Sequence, residues 1–275
     1  MTASLILLGR PGVAAEKADA KAELQELVTQ IQGKLKKLKD SKPTEADLAE
    51  DLKKFDVLLE QHKGEKTDDV AQVLWMKALL YLQVLDNSEK GAELVKKLKS
   101  DFPDTTQGKN AEEVLANIQK REEAKQMQKT LVVGAKFPDF DEKVIAGKPL
   151  SIANYKGKVV LIDFWATWCG PCIGELPNVL KAYEKYHAKG FEIIGISLER
   201  DKDEQKFRSF VKAQGMSWQH FFDGKFWETK LAVKYGIMSI PATFLLDGEG
   251  KIVAKDQQLR GPGLEAEVGK ILAKP

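Results

Sequence analysis

Two residues carry the chemistry of this chain. Cys169 and Cys172 are the only cysteines among 275 residues, and they stand in the stretch Trp168-Cys169-Gly170-Pro171-Cys172. An apolar run, Val159–Trp165, precedes them, and a helical pattern follows. A thiolate, not a thiol, attacks a disulfide. At a helix N-terminus, unpaired N–H groups and the macrodipole favour an anion, which lowers a thiol pKa into the range of about 3.5–7.5. Cys169 sits at such a terminus, and Cys172 lies one turn further in, close enough to close an intramolecular disulfide. The spacing therefore assigns attack to Cys169 and resolution of a mixed disulfide to Cys172. The pair itself is the redox centre, and no other cofactor is expected. The alternative is half of a zinc site, which needs two further ligands; the three histidines, His62, His187 and His220, are scattered. With no other cysteine, no structural disulfide is available, so the fold stands on packing.

Asp163 is the one ionisable residue in Val159–Trp165, six positions before Cys169. Burial raises a carboxyl pKa, so this acid can take the proton of Cys172 as that thiol attacks. The alternative is a strand-end aspartate satisfied by backbone donors. Trp168 is expected to cover the pair as a contact surface and Trp165 to belong to the core.

These residues need a frame. Val159–Trp165, apolar on both faces, predicts a strand covered on both sides, as in a parallel sheet under helices. Residues 171–187 read as a helix with Leu176, Val179, Leu180 and Tyr183 on one face and Pro177 inside it, where it should kink the helix. Phe191–Leu198 is the next strand, which makes a right-handed parallel βαβ unit. A polar helix over Asp203–Ala213, a short strand over Trp218–Phe222 and a short helix over Phe226–Tyr235 follow. Thr243–Leu246 and Lys251–Lys255 flank the turn residues Asp247-Gly248-Glu249-Gly250 of a hairpin, and Leu264–Leu272 closes the chain as a helix.

The segment IDFWATWCGPC resembles the thioredoxin active-site strand and motif. Pro177 matches that family's helix-kinking proline, and Ile240-Pro241-Ala242-Thr243 resembles its cis-proline segment. Glu175 in CIGELP, the opening Phe137-Pro138-Asp139-Phe140 and the insertion between Leu198 and Ile237 resemble the TlpA/ResA-like branch. The resemblance covers about residues 131–274. It implies an α/β thioredoxin-like domain, a central mixed sheet flanked by helices, acting as a thiol–disulfide oxidoreductase. Glu175 becomes a second proton relay or specificity residue; its alternative is an exposed first-turn acid. A cis bond before Pro241 is a rare feature kept for local geometry; it would present the Ile240 backbone beside Cys169, where an extended client can pair strand to strand. Gly170, Pro171 and Trp168 join Ile240 and Pro241 as the client-contacting set. Gly170-Pro171 supplies no charge or imidazole, and a strong oxidant needs an unusually stabilised thiolate, so a reductant of protein disulfides is expected. Many thioredoxins pair the buried acid with a lysine on the next strand; Phe191–Leu198 has none. The branch further implies work outside the cytoplasm in cytochrome c maturation, with apocytochrome c among the clients and a membrane thiol as electron donor.

The other half shows helical spacing and no chemistry. Leu24, Leu27, Ile31, Leu35 and Leu38 mark one helix, and Leu48, Leu52, Phe55 and Leu59 a second, opened by Thr44 and Asp47 as a near capping box. Thr67 opens a third, central and most buried; Ser88 caps a fourth; a fifth starts near Thr106. Ala78, Tyr81, Gly91, Val95 and Pro103 resemble a tetratricopeptide unit if one residue is inserted. This half, residues 17–130, reads as an all-α helical-hairpin domain, either a docking or dimerising module or a cap on the second domain, residues 131–275. His62 is expected at the surface. Residues 1–16 are set aside as a signal-like or disordered start: Leu5–Leu8 is apolar and Ala14-Ala15 suits cleavage. Net charge is +2, from 43 basic and 41 acidic residues, which gives no basis for a nucleic-acid partner. Two other functions stay open. One is a peroxiredoxin-like peroxidase, although Trp165 stands at the fourth position before Cys169. The other is an adaptor using the helical half.

Overall fold

The computed structural model describes residues 19–38, 41–145 and 147–273. The signal-like start expected at residues 1–16 lies outside these. The chain forms two compact units that divide between Gln119 and Lys120. The boundary expected at 130/131 falls at the end of the helix in which this division lies.

The first unit is helical: α1 (Ala20–Lys37), α2 (Ala49–Gln61), α3 (Asp68–Leu79), α4 (Ser88–Asp101) and the start of α5 (Thr106–Thr130). Asp19 caps α1, and Thr67 caps α3 by accepting from Val70 N at 3.3 Å. Thr44 and Asp47 bond reciprocally, at 2.8 and 3.3 Å, but they close a turn ahead of α2 rather than its first turn. Asn87, not Ser88, caps α4. α3 packs on α1, α2 and α4 and buries Val70, Ala71, Val73, Leu74 and Ala78. A π-helical turn, Leu80–Val84, continues α3. A π turn holds one residue more than an α turn. His62 is buried at the end of α2, with Nδ1 3.3 Å from the Glu65 carboxylate, which corrects the surface position expected for it.

The second unit holds one five-stranded sheet in the order β5-β4-β3-β6-β7. β3 (Val159–Trp165) is central, parallel to β4 (Phe191–Ser197) and antiparallel to β6 (Ala242–Leu246). β5 (Gln219–Phe221) lies parallel beyond β4, and β7 (Ile252–Lys255) antiparallel beyond β6. Two short strands, β1 (Glu142–Lys143) and β2 (Pro149–Leu150), pair separately. α6 (Gly170–Tyr186) links β3 to β4 and packs against α9 (Gly263–Leu272), while α7 (Glu204–Ala213) and α8 (Lys230–Lys234) fill the stretch between β4 and β6. This is a thioredoxin-like α/β fold with a mixed sheet flanked by helices.

Alternation along β3 assigns its faces. Phe164 meets Tyr235 and Phe244, and Phe137 meets the same two rings at 4.6 and 5.1 Å, so one face is an aromatic layer. Leu161, Asp163 and Trp165 take the other face, where Leu176, Val179 and Leu264 of α6 and α9 line a common cavity with them. On the neighbouring strand, a Cβ at Gly195 would lie 2.5 Å from the His220 ring and 3.1 Å from Trp165 Nε1. Both rings are buried. Overpacking a core of this density strains side chains by about 1–3 kcal/mol. Gly195→Ala should therefore lower stability by about that amount in urea unfolding, and an unchanged midpoint would show that the rings can move.

Candidate active site

Cys169 occupies the N-cap of α6. Its backbone is extended (φ −86°, ψ 98°), and its Sγ accepts from Cys172 N at 3.2 Å. The turn out of β3 is closed by Cys169 N donating to Ala166 O at 3.2 Å. The two sulfurs are joined, 2.02 Å apart, with Cα atoms 5.3 Å apart. Both cysteines are buried, at 5% and 6% exposure, while Trp168, Gly170 and Pro171 around them are exposed. The disulfide is thus buried behind an exposed rim of Trp168, Gly170 and Pro171.

Trp168 is 44% exposed and is held by Nε1 donating to Leu198 O at 3.1 Å. Its ring packs on Phe226 and Trp227, at 5.1 and 5.9 Å, and the Arg200 guanidinium lies 4.3 Å over Phe226. Phe226 has φ 56°, a left-handed backbone that a bulky residue adopts only when held there. Glu199 does part of the holding: its carbonyl accepts from Phe226 N at 3.1 Å, and its buried carboxylate accepts from Thr167 N. Glu199, Arg200, Phe226 and Trp227 were not singled out by the sequence; the insertion after Leu198 was the available signal. Trp165 is in the core, against Phe207, Phe210 and His220.

Asp163 lies behind the disulfide. It pairs across the sheet with Gly195 on one side and Thr243 on the other. Its side chain lines a cavity of about 20 Å³ together with Cys172, Glu175, Pro241, Thr243 and Arg260. That volume suits a single water molecule, which needs roughly 10–15 Å³. Burial pushes the Asp163 carboxyl up to about 7, against a smaller downward pull from the Arg260 guanidinium. Glu175 is half-buried, and its carboxylate accepts from Gly261 N at 2.9 Å and from Asn178 Nδ2 at 3.2 Å, so it is an anchored acid rather than an exposed first-turn one.

The Ile240–Pro241 peptide bond is cis. Because Phe164 pairs with Ala242, the cis segment stands beside the end of β3 from which the Cys169 turn leaves. Ile240 and Pro241 are half-buried, and Met238 nearby is 62% exposed. All nine residues singled out in the sequence therefore gather at one end of the sheet. Among the described residues no group of three or more His, Cys, Asp or Glu side chains is placed to hold a metal ion.

A closed Cys-x-x-Cys disulfide at a helix mouth, on the central strand of this sheet, defines a thioredoxin-fold redox protein. Comparison with known proteins narrows the class. The AhpC/TSA family matches residues 133–255. The chain is 32% identical over 144 residues to the thiol-disulfide oxidoreductase ResA of Bacillus thuringiensis, covering 52% of this chain and 78% of that protein. It is 33% identical over 120 residues to the thioredoxin-like protein YneN of Bacillus subtilis, covering 43% and 68%. The solved thioredoxin domain of a thiol-disulfide oxidoreductase from Bacteroides vulgatus is similar at 34% identity and a TM-score of 0.46, covering 52% of this chain and 99% of that one. The chain belongs to the ResA/TlpA-like thiol–disulfide oxidoreductases, and the similarity lies in its second half.

The raised Asp163 carboxyl has a consequence for stability. Folded, the group keeps its proton to about pH 7; unfolded, it releases it near 3.8. Between those values the native state binds more protons than the unfolded one, so its stability falls as pH rises. The contribution is fully present below the unfolded value and lost as pH passes the folded one. Asp163→Asn removes the dependence. Urea unfolding at pH 4 and pH 8 should show the variant gaining, relative to the parent, by a few kcal/mol between the two. A difference that does not change with pH would place the carboxyl in contact with water.

Proposed function

We propose that the protein reduces disulfides of other proteins outside the cytoplasm, with Cys169 as nucleophile and Cys172 as resolving thiol. The observation that carries this reading is the Cys169 sulfur at the α6 N-cap with an acid-lined cavity directly behind Cys172. In the reduced protein, Cys169 attacks one sulfur of a client disulfide. That bond breaks, the other client sulfur leaves as thiolate, and Cys169 is joined to the client. Cys172 then gives its proton to the Asp163 carboxylate, directly or through one water, and attacks the Cys169 sulfur. The mixed disulfide breaks, the second client sulfur leaves, and Cys169–Cys172 closes. Two electrons have passed from the dithiol to the client, and an external thiol must return them.

The rim supports a protein client. Ile240 and Pro241 offer an edge for an extended segment. Trp168 with Phe226 and Trp227 offers an aromatic contact surface. A cleft of about 590 Å³, within the range of roughly 300–1,000 Å³ for ligand sites, opens from Pro241 past Met238 and Phe244. Reduction rather than oxidation is favoured because Gly170-Pro171 places no charge between the sulfurs. The family resemblance supports apocytochrome c as client and a membrane thiol as donor, and the apolar Leu5–Leu8 followed by Ala14-Ala15 supports export. In this reading the helical first unit, which ends at Gln119, is a module for binding a partner protein or a second copy.

The purified protein should accelerate reduction of insulin by dithiothreitol, and Cys169→Ser should return the rate to the uncatalysed one. Cys172→Ala should accumulate a mixed disulfide on Cys169 that releases its client on reduction. Full turnover by Cys169→Ser would refute the assignment. Rapid peroxide consumption with a sulfenic acid on Cys169 would make the protein a peroxidase instead.

A further inference from the structure

Arg260 belongs to no motif in the sequence, yet it bonds the cis-proline segment and lines the cavity behind the disulfide. It follows a 3-10 turn, Asp256–Leu259, and precedes α9. Its Nη2 donates to Pro241 O at 2.7 Å. Its side chain lines the cavity shared by Asp163, Cys172 and Glu175, and it is the one lysine or arginine among the lining residues. The next residue, Gly261, donates its N–H to the Glu175 carboxylate at 2.9 Å. One short loop therefore fixes the cis-proline segment, the second acid and a positive charge opposite the first acid.

The position of that charge matters because β4, the strand paired alongside Asp163, carries no lysine. Its sequence is Phe-Glu-Ile-Ile-Gly-Ile-Ser, and Gly195 is the residue beside Asp163. A carboxylate in an apolar layer with no cation near it stays protonated well above neutral pH; it then accepts no proton. The charged and titratable groups that line the cavity with Asp163 are Cys172 and Glu175 from α6 and Arg260 from the loop before α9; Asp256, which accepts from Thr243 N at 3.3 Å, is paired with Lys255 at 3.7 Å. Arg260 alone favours the ionised form.

We propose that Arg260 is a positioning residue of the redox reaction: it serves as the fixed counter-ion of Asp163, supplied from the loop before α9, and ties that charge to the cis-proline segment through the Pro241 carbonyl. This deepens the proposed function, since it rests on Asp163 taking the Cys172 proton. It also makes one loop responsible for two states of the site: the geometry of the client edge and the readiness of the acid.

The test follows the Asp163 carboxyl carbon by NMR through a pH titration of the full oxidised protein, beside the pH dependence of Cys172 attack on a preformed mixed disulfide. Arg260→Met keeps the length and removes charge and donor. It should move the Asp163 midpoint up by about one pH unit, the low end for loss of a neighbouring opposite charge, and slow Cys172 attack at neutral pH about fivefold. Arg260→Lys should hold both near the parent values. In an Asp163→Asn background, Arg260→Met should leave the pH profile of attack unchanged. A midpoint that stays put in Arg260→Met would overturn the counter-ion, even if insulin reduction falls, because a clamp on Pro241 alone lowers client turnover without moving the titration. If Arg260→Met does not fold, a displaced midpoint in Arg260→Lys equal to that of Arg260→Gln would overturn it as well. Failure of the parent protein to reduce insulin would sink the proposed function and leave the titration result to decide Arg260 on its own.

Discussion

A sulfur holds negative charge at the mouth of a helix only if the helix is presented end-on and kept there. In this protein that depends on the junction between β3 and α6. β3 is bonded on both edges, to β4 and β6, and buried on both faces apart from Asp163. Its last residues are therefore fixed in register with two neighbours, and the turn through Ala166 and Cys169 has little freedom left. Cys169 enters the N-cap, where its sulfur takes a backbone N–H that would otherwise lack a partner. The same register places the cis-proline segment beside it, because Phe164 and Ala242 are cross-strand partners.

The strand that gives this rigidity also carries the acid, and the two demands conflict. An ionised carboxylate in an apolar layer is unfavourable, so the native state prefers the protonated form below about pH 7. A fully apolar β3 would be the more stable strand and would offer nothing to receive a proton from Cys172. The structure holds a compromise: a cavity large enough for one water, one guanidinium at its edge, and a second carboxylate anchored on Gly261. Charge is admitted at one position of β3, and the aromatic layer of Phe137, Phe164, Tyr235 and Phe244 covers the opposite face.

What the sequence disclosed follows from distance along the chain. Cys169, Cys172, Asp163 and Glu175 lie within one βα unit, so spacing and periodicity locate them. Pro241 is far away in sequence but carries a local signature. Arg260, Glu199, Phe226 and Trp227 have neither proximity nor signature; each acts through one contact made only once the sheet is assembled. His62 was misplaced because a lone histidine at a helix end carries no mark of the burial it reaches in the folded chain. The π turn after α3 adds one residue without a glycine or proline, so periodicity alone reads through it as one long helix.

The extent of the redox unit follows the same logic. The family match begins at residue 133, yet the unit begins at Lys120, within α5. Ala124 is buried there and Met127 packs against the core of the second unit. Gly236, at φ +64°, brings its backbone so close to Ala124 that an added Cβ would lie 2.4 Å from the Ala124 carbonyl. Gln128 Nε2 donates to Tyr235 O at 2.7 Å, and the Tyr235 ring is part of the aromatic layer under β3. Gly236 and Ile237 lead directly to Met238, Ser239 and the cis-proline segment. The last turns of α5 thus brace the approach to Pro241 from one side while Arg260 holds its carbonyl from the other. The cis-proline segment is thus held by two elements, one before the matched residues 133–255 and one after them, each giving a hydrogen bond to a backbone carbonyl.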